Sequence, residues 1–288
     1  MELDGRVAVV TGGTRGVGAG IARAFLEAGA EVVVCARRPP PEPVCAAGRR
    51  ARHVALDLRD AEAVERVFGE LAARYGSLDC LVNNAGGTPY RPLSEGSARR
   101  HARVVELNLL APLTASLAAL PHLRRARGSV LMVGSVSGTR PSPGTAAYGA
   151  AKAGLENLAR SMAVEWAPEV RVNTLVLGMV RTELAHLHYG DADGLAAVAA
   201  TVPLGRLAEP EEVGRAAVFL ASGRAGYVSG ASLLVHGGGE RPAFLDAATV
   251  NKESGGGSEG RLPGAVSAEG PGGESVGRAD EEGRDGHL

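Results

Sequence analysis

Two side chains that could move a proton lie one helical turn apart in the stretch AAYGAAKAGLENL, where Tyr148 precedes Lys152 by four positions. Residues four apart share one face of a helix, so the phenol and the ammonium can interact. A free phenol has a pKa of about 10, too high for a base near neutral pH, and a nearby cation favours the phenolate. The pair therefore predicts a proton donor and acceptor held on a helix.

A glycine-rich loop could hold a phosphate. The apolar run RVAVV is followed by TGGTRGVG and then by a helical pattern. Gly12, Gly16 and Gly18 let the backbone turn tightly and approach a pyrophosphate, and a helix that begins there offers free amides and the positive end of its dipole. The spacing Gly-x-x-x-Gly-x-Gly departs from the commoner Gly-x-Gly-x-x-Gly fingerprint. The loop predicts a dinucleotide site, with a purely structural turn as the alternative.

Arginines stand where the cofactor ribose is expected. The second apolar run, EVVVCA, ends at Ala36 and is followed by Arg37 and Arg38, while Arg15 lies in the glycine loop. An NAD site would carry a carboxylate near this point. A guanidinium instead suits a 2′-phosphate, because it donates paired hydrogen bonds and stays charged. The pattern favours NADP; NAD is the alternative if these arginines are only solvated surface charges.

The elements that must position these residues follow a regular alternation. Short, almost wholly apolar runs alternate with helical periodicity between residues 6 and 246. The runs are RVAVV, EVVVCA, HVALDL, LDCLVNN, SVLMVGS, VRVNTLVLG and SLLVHGG. This pattern predicts an α/β fold: a single doubly wound Rossmann-type domain whose parallel seven-stranded sheet has helices on both faces. Ligands bind at the carboxyl ends of such strands, where the informative residues lie.

Bulk composition is typical of a soluble globular protein. The 288 residues are 45% hydrophobic and 22% charged, and a net charge of −1 gives no reason to expect nucleic acid or a membrane as partner. The three cysteines have neither the even count of a disulfide framework nor metal-ligand spacing, so we expect a protein of the reducing cytoplasm. Residues 247–288 are rich in glycine and acids and predict a disordered tail after a catalytic domain of residues 1–246.

Four linked motifs resemble the short-chain dehydrogenase/reductase family. They are TGGTRGVG, NNAG at 83–86, Ser135, and the Tyr148–Lys152 pair, and the resemblance covers roughly residues 4–239. It implies an NAD(P)-dependent oxidoreductase that acts on a small-molecule alcohol or carbonyl and forms a homo-oligomer, a dimer or a tetramer. The alternative is a catalytically silent NAD(P)-binding regulatory protein of the same fold, which would need no acid/base group.

The resemblance assigns four catalytic residues. Tyr148 is the acid/base, and Lys152 tunes it and also hydrogen-bonds the nicotinamide ribose. Ser135, which ends the run SVLMVGS, holds the substrate oxygen and fits this role better than Ser137. Asn108 holds a water that links Lys152 to solvent; as a lone Asn inside a helix it could also mark a kink or a back-bonded amide.

The resemblance also assigns the cofactor contacts. Asp57 would accept from the adenine amino group, with a helix-capping Asp as the alternative. Asn83 would tie neighbouring strands together through backbone hydrogen bonds. Leu177-Gly178 stands where relatives often have Pro-Gly, which leaves the path of that loop open. The predicted cofactor-binding residues are Gly12, Thr14, Arg15, Gly16, Val17, Gly18, Arg37, Asp57, Leu58, Asn84, Ala85, Gly86, Tyr148, Lys152, Gly178, Val180 and Thr182.

Two further segments carry expectations. Residues 183–203 predict a lid over the substrate, and because His186 and His188 lack a third ligand we predict no metal site. The helices at 97–120 and 146–166 predict the oligomer contact, since they carry more outward apolar residues than one sheet face can cover. Those named for this contact are Leu109, Leu113, Leu117, Leu155, Leu158 and Met162. The substrate and the reaction direction stay open.

Overall fold

The computed structural model of the chain describes residues 1–249, except for the side chain of Asp246. Met1–Arg241 form one compact unit, and a second unit begins at Pro242 and contains the short helix Ala243–Ala247. The compact unit thus ends slightly before the predicted boundary at residue 246. Most of the predicted tail, residues 250–288, lies outside the described residues.

Seven strands form a parallel sheet in the order β5-β2-β1-β6-β7-β8-β9, as the sequence predicted. The described strands are β1 Val7–Thr11, β2 Glu31–Ala36, β3 Cys45–Ala46, β4 Arg49–Arg50, β5 Arg52–Ala55, β6 Cys80–Asn83, β7 Ser129–Ser135, β8 Arg171–Leu177 and β9 Ser232–Val235. β1 lies centrally, between β2 and β6.

Helices of the compact unit cover both faces of this sheet. The described helices of this unit are α1 Gly16–Glu27, α2 Ala61–Tyr75, α3 Ala98–Val105, α4 Ala111–Ala126, α5 Ala146–Glu165, α6 His186–Tyr189, α7 Ala192–Thr201 and α8 Pro210–Ala221, and α9 Ala243–Ala247 belongs to the second unit. α1 and α8 pack in one apolar core, and α2, α4 and α5 pack in the other. The doubly wound Rossmann-type prediction is therefore confirmed.

The strands supply both cores by alternation. Val10 and Val34 point to the α1 and α8 side, while Val9 and Val33 point to the other side, and none is more than 1% exposed. Successive side chains of a strand face opposite sides of the sheet, so a strand buried on both faces must be apolar throughout. Full burial of one such side chain contributes about 1.5 to 3 kcal/mol.

α1 and α8 cross at a glycine contact that helps fix the start of α1. A Cβ at Gly20 would lie 2.5 Å from the Pro210 carbonyl oxygen, and one at Gly214 would lie 2.7 Å from the Gly20 carbonyl oxygen. No side chain fits at either position without a shift of backbone. α8 begins at Pro210 with a capping box between Glu209 and Glu212.

The connection from β2 to β5 contains a small hairpin and no helix. β3 and β4 pair antiparallel around Ala47 and Gly48, both at positive φ. The preceding stretch PPPEP, residues 39–43, explains the missing helix, because proline lacks the backbone donor and clashes with the preceding turn.

A long helical stretch precedes β7. Ala98–Ala126 runs through α3, a π-helical segment at Glu106–Leu110, and α4. By length and composition it is apolar enough to cross a membrane, a test that a core helix also passes. Here Ala111, Ala115 and Ala119 are buried in the sheet-covering core. The α4 part of this stretch is therefore a core helix that covers one face of the sheet.

Candidate active site

The crevice at the carboxyl ends of β1 and β6 is held by a set of short hydrogen bonds. Thr11 Oγ donates to the Val82 carbonyl at 3.1 Å and accepts from the amides of Asn84 at 3.0 Å and Ala85 at 3.1 Å. Asn84 Nδ2 donates to the Thr11 carbonyl at 2.9 Å. The sequence had not singled out Thr11, although it opens the TGG motif. Its hydroxyl fixes the end of NNAG beside the glycine loop.

Asn83 and Asn84 join β6 to different neighbours. The backbone of Asn83 pairs with Met132 of β7, as predicted, while its Nδ2 donates to Ser116 Oγ on α4 at 2.8 Å and to Met132 Sδ at 3.3 Å. The side chain of Asn84 adds the tie to Thr11 of β1. Side chains alternate along β6, so the first asparagine faces the helix layer and the second, at the strand end, turns toward β1.

The glycine loop approaches the NNAG segment too closely for side chains. Gly12 and Gly16 have positive φ values of 64° and 52°. A Cβ at Gly12 would lie 2.9 Å from Ala85 Cα and 3.1 Å from Asn84 Nδ2. Gly12, Gly18, Asn84 and Ala85 are thus brought together, whereas Gly16 lies against Thr182 and Glu183. This is a backbone cradle of the kind that admits a diphosphate.

Thr14 and Arg15 lead into α1, whose first turn contains Gly16, Val17 and Gly18. Arg15 occupies the N-cap position and makes no side-chain cap hydrogen bond, and the first turn contains no acidic residue. The unpaired amides of a helix start attract anions.

A carboxylate of the chain itself binds at this helix start. The Gly16 amide donates to Glu183 Oε2 at 3.0 Å and to Oε1 at 3.3 Å. Thr182 packs on the same glycine: a Cβ at Gly16 would lie 3.4 Å from Thr182 Cγ2. The N-terminus of α1 therefore holds an anion in this structure, which is the property that a cofactor diphosphate needs.

Two arginines stand beside the expected ribose position. Arg15 and Arg37 are both exposed, and Ala36 is half-buried at the end of β2. Within residues 1–249, neither Arg15 nor Arg37 forms a salt bridge. Arg37 lies close enough to Asp57 to help lower the pKa of that carboxyl. Both guanidinium groups thus have donors to offer to a phosphate.

Asp57 has an arginine partner beyond β5. Arg59 donates to the Asp57 carboxylate through Nε at 3.0 Å and Nη2 at 2.5 Å, and this hydrogen bonding lowers the pKa of Asp57 to about 2. The alternative role as a helix cap is wrong, because Asp60 caps α2 through the Ala63 amide. Leu58, a predicted cofactor contact, is 7% exposed and packs in the α2 core.

Lys152 is buried beneath Tyr148. It is 3% exposed, and its Nζ donates to the Val133 carbonyl of β7 at 2.7 Å. Burial lowers the pKa of Lys152 to about 8. Nζ lies 5.5 Å from the centre of the Tyr148 ring, so α5 brings the two together as the four-residue spacing predicted.

Tyr148 and Ser135 also meet. Burial raises the pKa of Tyr148, a hydrogen bond with the Ser135 hydroxyl partly offsets this, and the nearby Tyr189 raises it further. The lowering by Lys152 that the sequence predicted is not found: burial sets the direction of the Tyr148 pKa shift, and Ser135 supplies the opposing contact. Ser135 Oγ also accepts from the Ser137 amide at 3.2 Å, so Ser135, rather than Ser137, directs its hydroxyl to the phenol.

Asn108 lies in the π-helical segment with its amide satisfied by backbone. Its Oδ1 accepts from the Gly87 amide at 2.9 Å, and its Nδ2 donates to the carbonyls of Gly87 and Val104 at 3.0 and 2.9 Å. The back-bonded alternative is thus present. A Cβ at Gly86 would lie 2.5 Å from Asn108 Oδ1 and 3.6 Å from Lys152 Nζ, so Gly86 meets both predicted catalytic residues.

The segment after β8 runs beside the sheet without the proline of relatives. The Gly178 amide donates to the Val235 carbonyl at 3.0 Å, which continues the pairing of β8 with β9. Val180 then forms a parallel bridge with Ala208. These contacts give the path that the Leu177-Gly178 sequence had left open, and they bring Thr182 to the glycine loop.

The predicted lid contains α6 and α7, and α6 carries a second phenol. Tyr189 donates from its hydroxyl to Met179 Sδ at 3.2 Å, and burial raises its pKa. Tyr189 lies close enough to Tyr148 to raise the pKa of that phenol, so the lid phenol lies near the predicted acid/base. No short-range spacing could reveal Tyr189 or Glu183, because each contact joins segments distant in sequence.

The two lid histidines do not form part of a metal cluster. His186 Nδ1 contacts the Glu183 carbonyl at 3.0 Å. Across the described part of the chain, no group of three or more metal-ligating side chains occurs.

The predicted oligomer face needs correction. Leu155 and Met162 are 0% and 3% exposed, since the periodicity of α5 turns them toward the sheet. The exposed apolar residues on these helices are Leu110, Leu117 and Val164, at 49%, 53% and 80%. The other named residues are half-buried against the same core: Leu109, Leu113 and Leu158.

Known proteins resemble the chain over almost all of this unit. A family model described as enoyl-(acyl carrier protein) reductase matches residues 12–240. A cis-4-hydroxycyclohexanecarboxylate dehydrogenase of Sinomonas cyclohexanicum is 42% identical over 81% of this chain and 96% of its own length. An L-fucose dehydrogenase of Oryctolagus cuniculus is 39% identical over 82% of this chain and 85% of its own. The ligand-free aldohexose dehydrogenase of Thermoplasma acidophilum superimposes with a TM-score of 0.77 at 27% identity, covering 90% of this chain and 98% of that one.

Proposed function

This chain belongs to the short-chain dehydrogenase/reductase family of oxidoreductases, and from that premise we propose that it transfers a hydride between NADP and a small-molecule secondary alcohol or ketone. Tyr148 is the acid/base, Ser135 holds the substrate oxygen, and Lys152 and Asn108 support Tyr148. The names of the two relatives reported above contain a hydroxycyclohexanecarboxylate and a sugar, each a small molecule with a hydroxyl function.

The observation that carries the proposal is the arrangement around Tyr148. Ser135 hydrogen-bonds the phenol, and the Lys152 ammonium lies 5.5 Å from the centre of its ring. A protein that only bound the cofactor would have no need of a serine and a buried lysine around one phenol. The anion-binding start of α1, at the carboxyl edge of the same sheet, supports the cofactor part of the proposal.

The pKa directions suit a proton donor. When bound, the nicotinamide cofactor supplies or accepts the hydride. Burial raises the pKa of Tyr148, so the phenol stays protonated near neutral pH and can give its proton to a carbonyl oxygen held by Ser135. Lys152, with a pKa of about 8, is mostly an ammonium at neutral pH and can compensate charge left on Tyr148. Alcohol oxidation needs the phenolate and should speed up as the pH rises.

A turnover assay tests the function. Purified protein is mixed with NADPH or NADH and a panel of cyclic, sugar-derived and 3-oxoacyl ketones, and with the oxidised cofactors and the matching alcohols. We expect a substrate-dependent change in nicotinamide absorbance with at least one class. Tight cofactor binding without turnover of any panel member would instead support the silent regulatory protein.

We propose that the protein works as a homo-oligomer, a dimer or a tetramer, as members of the family commonly do. Leu110, Leu117 and Val164 expose apolar surface on the helices that flank β7, and a second copy would cover it. Multi-angle light scattering at micromolar concentration should give a multiple of the 29.4 kDa chain mass. A monomer under these conditions would contradict the proposal.

We also propose a cytoplasmic location. The three cysteines are free; burial raises the pKa of Cys35 and Cys80 to about 12, and Cys45 is exposed. A reducing compartment keeps an exposed thiol such as Cys45 reduced. Cell fractionation with an antibody to the protein tests this location.

A further inference from the structure

The start of the lid is tied to the start of α1 at the place proposed for the cofactor diphosphate. The Gly16 amide donates to both oxygens of Glu183, at 3.0 and 3.3 Å, across a sequence separation of 167 residues. Thr182 and Glu183 together cover Gly16, since a Cβ there would lie 3.4 Å from Thr182 Cγ2 and 3.6 Å from Glu183 Oε2. An anion of the protein thus uses a donor that a cofactor phosphate would also need.

We propose that Glu183 is a built-in competitor of the cofactor diphosphate: its carboxylate latches the lid onto α1 until the diphosphate displaces it. This inference rests on the proposed function, because it requires a dinucleotide at the glycine loop. A diphosphate at the α1 start and the Glu183 carboxylate cannot share the Gly16 amide, and two anions this close repel each other. Binding of the cofactor therefore includes release of Glu183.

The latch is built to open. Glu183 is exposed, and within residues 1–249 its carboxylate has no hydrogen-bond or salt-bridge partner besides the Gly16 amide. A diphosphate carries more charge and can reach further amides of the glycine loop. The competition thus favours the cofactor while still lowering its apparent affinity.

Release of Glu183 can affect the substrate side of the site through the segment that follows it. The chain is held before the latch by the bridge between Val180 and Ala208, and Glu183 is followed directly by α6. α6 carries Tyr189, whose phenol is coupled to Tyr148 and donates to Met179 Sδ, a weak acceptor. A shift of the segment from Glu183 to Tyr189 changes what faces Tyr148. The latch therefore links cofactor binding to the shape of the substrate pocket.

Cofactor titrations of Glu183→Gln and Glu183→Ala test the latch. The matched control is Asp193→Asn, which removes another exposed lid carboxylate, one that forms no salt bridge within residues 1–249. We expect both Glu183 variants to bind NADPH and NADH about ten-fold more tightly than wild type, the scale of one hydrogen bond to a charged group. The control should match wild type. Adenosine 2′-monophosphate lacks the diphosphate and should bind all four proteins equally.

Hydrogen exchange supplies a readout that needs no bound cofactor. Glu183→Ala should raise the amide exchange of residues 183–189 several-fold, and Asp193→Asn should leave it unchanged. Unchanged exchange in Glu183→Ala, or cofactor affinity equal to or weaker than wild type in both Glu183 variants, would overturn the latch while leaving the proposed function intact. Failure of every protein to bind either cofactor would overturn the proposed function, and this inference with it.

Discussion

Tyr148→Phe is expected to lower kcat for carbonyl reduction by about 10³-fold, within the range typical of general acid catalysis. The variant loses only the hydroxyl that gives the proton, and the ring keeps its packing above Lys152. Cofactor Kd should therefore change by less than about three-fold, since the loop and the α1 start are untouched. Single-turnover measurement of cofactor oxidation separates this chemical step from binding.

Tyr90→Phe is the matched control for that loss. Tyr90 is 65% exposed and packs on Gly144, on the loop that precedes α5. The substitution therefore removes a neighbouring phenol and leaves Lys152 unchanged. We expect near wild-type rates from it. Hydride transfer at a wild-type rate in Tyr148→Phe would sink the acid/base assignment.

The pH profile gives a second signature of the same residue. Reduction needs protonated Tyr148, and burial raises the pKa of this phenol, so loss of its proton should lower the wild-type rate at strongly alkaline pH, above the separate loss of the Lys152 charge near its pKa of about 8. The residual rate of Tyr148→Phe should lack that decline. A decline that persists in the variant would assign the proton donor to another group.

The fold could be predicted because its strands are buried on both faces. EVVVCA and SVLMVGS match β2 and β7 residue for residue, because few other structures suit a short and almost wholly apolar run. The Tyr148–Lys152 contact was equally accessible, since a helix turns a spacing of four into proximity. Such local patterns can be identified from the sequence alone.

Contacts between distant segments could not be predicted in this way. The Glu183 carboxylate at Gly16 and the Tyr189 phenol near Tyr148 depend on where the lid lies, which no local spacing encodes. The inward direction of Leu155 depends on the exact phase of α5 against the sheet. The direction of the Tyr148 pKa shift depends on how completely the phenol is buried. The presence of Lys152 four positions along the chain does not reveal this burial.

The preference for one cofactor is expected to depend on the two arginines at the ribose end of the site. The wild-type protein is expected to bind NADPH about 10²-fold more tightly than NADH, about ten-fold for each charge-assisted guanidinium contact with the 2′-phosphate. Arg15 and Arg37 are exposed and without salt bridges among the described residues. Ala36 adds no carboxylate to repel a phosphate.

The triple variant Ala36→Asp, Arg15→Gln, Arg37→Gln should reverse this preference, because an acid at position 36 can accept from both ribose hydroxyls and repels a 2′-phosphate. Arg66→Gln, which removes an exposed arginine from α2, is the control for loss of charge alone and should keep the wild-type ratio. The measurement is titration with both reduced cofactors at one fixed ionic strength, since screening weakens exposed charge contacts. Equal affinities in the wild type, or tighter binding of NADH, would mean that Arg15 and Arg37 point into solvent, and the cofactor would then be NAD.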